Sequence, residues 1–138
     1  MRTWRHLLCA VCFLASCGPS GPKTHAVNGK VVTAKAEDLK QLVGQAVELQ
    51  STTEPNTRGF GQIKPDGSFS ISTYRKGDSL PGAIEGAHKA RLMINLEDND
   101  GPRGRKKQWT LDPKFTNFDN SGWTLTVPVT GEVVFKVQ

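Results

Sequence analysis

The chain reads as an all-β protein: a single antiparallel β-sandwich of about seven strands, with one short helix expected near residues 36–43. Three observations predict this. Apolar residues alternate with polar ones at period two in one run after another, the pattern of a strand with a single buried face. Between the runs stand Gly, Pro, Asn and Asp at intervals of roughly ten residues, the spacing of short strands joined by turns. Only Ala34 to Leu42 is dense in helix formers.

Taken in order, Gly18-Pro19-Ser20-Gly21-Pro22-Lys23 has nothing to bury and belongs to a flexible tether over residues 17–24. The folded domain is expected over 25–138. His25 to Thr33, with Val27, Val31 and Val32 around Gly29, predicts the first strand. In the helical stretch Leu39, Leu42 and Val43 fall on one side, and Gly44 stands where a helix would stop. Gln45 to Gln50 is a strand with Val47 and Leu49 on one face. Phe60 and Ile63 lead into Pro65-Asp66-Gly67, and then Phe69, Ile71 and Thr73 alternate with Ser68, Ser70 and Ser72. Asp-Gly between two such runs predicts a hairpin.

Arg75 to Gly86, punctuated by Gly77, Pro81 and Gly82, predicts a loop. His88 to Glu97 predicts the longest strand, with Ala90, Leu92, Ile94 and Leu96 opposed to Lys89, Arg91, Met93 and Asn95. A polar loop follows from Asp98 to Lys107, and Phe115 and Phe118 are expected to cap the core from an irregular segment. Trp123, Leu125, Val127 and Val129 alternate, Thr130-Gly131 turns, and Val133, Phe135 and Val137 make the last strand. The C-terminal runs and the strand around Met93 are expected at the centre of the sandwich.

The first residues follow a different logic. Arg2, Arg5 and His6 form a short basic leader, and Leu7 to Ala15 is an apolar run shorter than the roughly 20 residues that span a bilayer. That is the pattern of a secretory signal over residues 1–16. It ends in Leu14-Ala15-Ser16-Cys17, which resembles the lipobox of bacterial lipoproteins. The resemblance implies cleavage before Cys17, a diacylglyceryl group on its sulfur and acylation of the new amino group, with palmitate among the acyl chains. A single chain binds a membrane only marginally, at about 10⁴ M⁻¹, so two or three on one residue would hold almost permanently. Gly18, where some relatives carry Asp, resembles sorting to the outer membrane. The protein is expected on the envelope, facing the periplasm or the outside.

Removing 16 leader residues from 138 leaves 122, enough for one core. With Arg2 and Arg5 gone, the 18 basic residues become 16 against 13 acidic ones, a net charge of +3. So mild an excess gives no reason to expect nucleic acid. Cys9 and Cys12 fall in the leader and read as small apolar residues of the signal. Cys17 is then the only remaining cysteine, and the domain depends on its core without disulfides.

The order Val27-x-Gly29-x-Val31, Gly44-x-x-Val47, Gly61-x-Ile63-x-x-Asp66-Gly67-x-Phe69, Gly77-Asp78 and Gly86-x-His88-Lys89 resembles the carboxypeptidase-regulatory-like domains. These are transthyretin-like, immunoglobulin-like sandwiches found on many predicted bacterial lipoproteins. Asp112-Pro113-Lys114-Phe115 and Ser121-Gly122-Trp123-Thr124-Leu125-Thr126-Val127 are similar to the closing part of the same group. The resemblance implies a seven-stranded sandwich and carries over no catalytic residue. It departs from the commoner pattern at Ala34 to Leu42, where many relatives have a tight turn.

Chemistry must come from the residues themselves. A hydrolase needs a nucleophile with a base in reach, and the mature chain offers only His25, at the tether, and His88, at a strand opening. Both read as structural or solvated, so the chain is expected to be no enzyme and to need no cofactor beyond its lipid. Glu97-Asp98-Asn99-Asp100 is the best metal candidate, since carboxylate and amide oxygens suit Ca²⁺. Leu96 stands where an EF-hand places its first Asp and no Glu closes the loop, so a turn is the preferred reading. Arg103, Arg105, Lys106 and Lys107 beside Trp109 form a basic run that could dock on anionic lipid headgroups near the anchor, though a solvated loop whose charges partly neutralise the acids before it is the preferred reading. An envelope protein or glycan is the other partner expected of the domain. The favoured function is a non-catalytic binding or scaffolding module of the envelope. The alternatives are an assembly role, in which a sheet edge pairs with a partner strand, and, last, an accessory to a hydrolytic enzyme.

Overall fold

The structure, a computed structural model, describes residues 21–95 and 109–138. Along the chain run β1 (Thr24–His25), β2 (Asn28–Thr33), α1 (Ala36–Leu42), β3 (Ala46–Ser51), β4 (Arg58–Gln62), β5 (Ser68–Ser70) and β6 (Ser72–Arg75). Then come β7 (Asp78–Pro81), β8 (Ala83–Ile84), β9 (Gly86–Met93), a 3-10 turn (Pro113–Thr116), β10 (Thr124–Val127) and β11 (Val133–Val137). Six strands make one sheet in the order β10-β9-β3-β4-β6-β7, three make a second, β11-β2-β5, and β1 pairs with β8. The all-β class and the short helix are as expected.

The alternation does what its period dictates. Val47 and Leu49 of β3, Ala90 and Leu92 of β9 and Val127 of β10 point inward from the large sheet, and Val31, Phe69, Phe135 and Val137 point inward from the small one. Between them lies an aromatic ladder. Phe69 stacks on Phe135 at 5.9 Å, Phe135 on Trp123 at 4.7 Å, and Trp123 meets Phe115 of the 3-10 turn at 5.1 Å. Phe69 also lies across the strand pair from Gly29, where a side chain would drive into its ring and into the Val133 carbonyl. Each fully buried ring contributes about 1.5–3 kcal/mol from area alone.

Several expectations need correction. The turn at Pro65-Asp66-Gly67 forms, with the Gly67 N–H donating to the Lys64 carbonyl at 2.8 Å. It closes the expected hairpin, with the Lys64 N–H donating to the Ser68 carbonyl at 2.9 Å and β4 antiparallel to β6 in a register centred on Asp66, but β5, between the turn and β6, pairs with β2 in the other sheet. Ile71 is the corner where the chain changes sheets, and Phe69, Ile71 and Thr73 stay buried through the change. Arg75 to Gly86 is not a loop: Lys76-Gly77, both at positive φ (51° and 89°), make the tight turn that folds β7 back on β6. β8 follows and pairs with β1. The last strand is not antiparallel to its neighbour, since β10 and β11 lie in different sheets and β11 runs parallel to β2. Consequently β10 and β11 are edge strands, and of the runs expected at the centre only β9 is there.

Candidate functional site

β3 lies inside the large sheet, so the residue between its two buried apolar side chains must face the outer side. That residue is Glu48, only 4% exposed. A carboxylate so far from water needs partners. The register sets Glu48 opposite Phe60 of β4 and Arg91 of β9. Arg91 Nε donates to Oε2 at 2.6 Å and Arg58 Nη1 donates to Oε1 at 3.1 Å. Both guanidinium groups also lie over the ring of Phe118, 4.5 Å and 4.9 Å from its centroid, where a cation meets the negative π face. Phe118 therefore does not cap the core as expected. It roofs an ion cluster on the opposite side of the sheet, and Lys89 pairs with Asp119 at the rim.

Next to this cluster, between the end of β9 and residues 109–116, is a groove of about 380 Å³ whose lining includes Arg91, Met93, Ile94, Trp109, Leu111 and Asp112. Its size falls within the usual range of ligand pockets. Helix α1 fixes one wall, because Thr110 Oγ1 donates to Asp38 Oδ1 at 3.1 Å and accepts from Gln41 Nε2 at 3.0 Å. At the other end, the Lys114 backbone N–H bonds Asp112 Oδ1 at 2.9 Å and holds that carboxyl below its ordinary range, so it is ionised. The groove thus has apolar walls, one cation and one anion. That arrangement can hold an amphipathic ligand in a fixed orientation. The described residues lining it include no histidine or cysteine.

Among the sequence candidates, Trp109 lies half-buried in this groove. Cys17, Glu97, Asp98, Asn99, Asp100, Arg103, Arg105, Lys106 and Lys107 lie outside the described residues. Among the described residues no three His, Cys, Asp or Glu side chains gather as a metal cluster would require. His25 sits in β1 with Nε2 3.5 Å from the Glu85 carboxylate, close enough for an ion pair and too loose for a hydrogen bond. His88 is buried on the inner side of β9, its Nε2 at 2.8 Å from the Ile84 carbonyl, which assigns the proton to that nitrogen. Its Nδ1 has no hydrogen-bond partner among the described residues, and burial pushes its pKa below 6.5. Glu48, Arg58 and Phe118 were not marked by the sequence as a site. Their meeting depends on cross-strand register and on a returning segment, neither of which a local pattern carries.

No family model matches the chain, and no curated protein or solved structure does either. No helix among the described residues is long and apolar enough to cross a membrane.

Proposed function

We propose that the chain is a non-catalytic module of the cell envelope, a transthyretin-like sandwich of about seven principal strands, tethered to a membrane by acyl chains on Cys17. It binds or scaffolds another envelope component. The observation that carries this reading is the junction Leu14-Ala15-Ser16-Cys17: a basic leader and a short apolar run end in a cysteine that a Gly/Pro tether joins to a β-domain. The groove beside Trp109 supports a binding role, having apolar walls and two opposite charges to orient a ligand. Metabolic labelling with palmitate and membrane flotation test the anchor. Wild type should carry the label and float, and Cys17→Ser should lose both. A Cys17→Ser chain that keeps label and flotation overturns the reading.

A second reading has its own observation. Among the described strands β11 ends the small sheet and pairs with β2 alone, so its other edge has no strand partner there, which is the geometry that strand addition uses. An assembly protein of that kind would co-purify with a partner whose strand extends this sheet.

A further inference from the structure

We infer that the outer face of the small sheet, β11-β2-β5, is a contact surface for an anionic lipid bilayer. The inference takes its occupant from the lipid anchor proposed above. Four large hydrophobic side chains are exposed among the described residues, Val32, Tyr74, Met93 and Val134, and two of the four share this face at 41% and 49% exposure. The parallel register sets Val134 beside Lys30 and Lys136 beside Val32. Valines and lysines therefore alternate like the squares of a board on strands about 4.8 Å apart. The three strands, NGKVVT, SFS and VVFKV, carry two lysines and no carboxylate. Asn28, Ser68 and Ser70 complete the face, with Ser70 donating to Asn28 at 2.8 Å. Two exposed acids flank the face, Glu132 immediately before β11 and Asp66 in the turn before β5, the latter held by Ser68 and facing Lys30. Lys136 makes no ion pair among the described residues.

An alternation of short apolar side chains and lysines suits a headgroup layer. The lysine stems lie along the apolar boundary and their ammonium groups reach the phosphates, while the valines lose contact with water. A second copy of the same face fits poorly, because it would set lysines against lysines. The tether selects the bilayer over an acidic protein. β2 is the first strand of either main sheet that the chain enters, eleven residues after Cys17. Those residues span at most about 40 Å when extended. The face is thus within reach of the surface that holds the lipid.

The test uses the chain from residue 17 onward with Cys17→Ser, so that no acyl chain contributes. The described residues of the core cluster lie between Val27 and Val137. Binding is read by co-sedimentation with phosphatidylcholine vesicles and with vesicles containing phosphatidylglycerol. The expected result is binding to the anionic vesicles alone, falling with salt. Each lysine near such a surface is worth about a fivefold gain. Lys30→Glu with Lys136→Glu should therefore weaken binding roughly 25-fold or more, and Val32→Ser with Val134→Ser should weaken it at unchanged salt dependence. Thermal unfolding confirms that the variants fold. Equal binding by wild type and the charge-reversed variant overturns the inference and transfers the contact to Arg103–Lys107. Absence of binding, or equal binding to neutral vesicles, overturns it as well. Failure of the anchor itself is read separately, from flotation of the palmitate-labelled chain on neutral vesicles.

Discussion

The two outer faces of the sandwich carry cations of the same kind and treat them in opposite ways. On the large sheet, Arg58 and Arg91 share the carboxylate of Glu48, Lys89 holds Asp119, and Arg75 approaches Glu54. The chain returns over this face after Pro113, and Phe118 lies on the two guanidinium groups. On the small sheet, Lys30 and Lys136 stand among exposed valines. The difference teaches that charge count does not define a surface. A cation bonded to a buried carboxylate is held by the fold and offers a ligand only its remaining N–H groups, whereas one on an exposed apolar face, with only solvated acids near it, is available to something outside.

The strongest way to break the comparison is to separate the faces. Phe135 joins Phe69 of the small sheet to Trp123 beside the large one, and its ring is buried on both sides. Phe135→Ala should cost about 3–5 kcal/mol, enough to unfold a marginal domain. Denaturant unfolding measures it, and a loss below about 1 kcal/mol would mean the ladder is not what couples the sheets. Glu48→Gln comes next. It removes the charge but keeps the shape, leaving two guanidinium groups against Phe118 without their anion. Loss of one partner of a buried ion pair costs about 3–5 kcal/mol; both arginines here retain about a third of their exposure, so about 2–3 kcal/mol is expected. The same denaturant midpoint measured for Lys136→Gln, on the bare face, should move by less than about 0.5 kcal/mol. Equal shifts for the two variants would erase the distinction between the faces.

The inward halves of these faces were legible and the outward halves were not. Val47, Leu49, Ala90, Leu92, Phe69, Val127, Phe135 and Val137 were all readable as buried, because period two follows from the backbone whatever strand lies alongside. Pairing is different. Ile71 keeps the same alternation while the chain passes from one sheet to the other, so nothing in Ser68 to Arg75 marks the corner. β7, Asp-Ser-Leu-Pro, has a single apolar residue and no period to detect, although Lys76-Gly77 could have signalled its turn. Glu48 looked like any outward residue between Val47 and Leu49. Only the register that brings Arg91 opposite it, and the returning segment that delivers Phe118, make it a buried anion. Trp109 was flagged for its neighbours in sequence and belongs to a groove it shares with the end of β9, distant along the chain, next to Thr110, which α1 holds.

The smallest effect sharpens the comparison through pH. His88 is neutral in the fold, with Nδ1 buried and burial lowering its pKa below the unfolded value of 6.5. Below 6.5 the unfolded chain therefore binds a proton that the folded chain resists. The stability contributed by keeping His88 neutral is fully present above pH 6.5 and is lost as pH falls from there toward the folded pKa, by at most about 1.4 kcal/mol per pH unit. His88→Gln, which can still donate to the Ile84 carbonyl, should flatten that part of the stability profile. An unchanged slope would show that His88 does not carry it. Vesicle binding by the folded chain rests on the small sheet, away from His88, and should stay constant while stability declines. Parallel loss of both would place His88, or the large sheet behind it, in control of the small sheet's surface, and the two faces would not be the independent units that their separate charge pairing makes them.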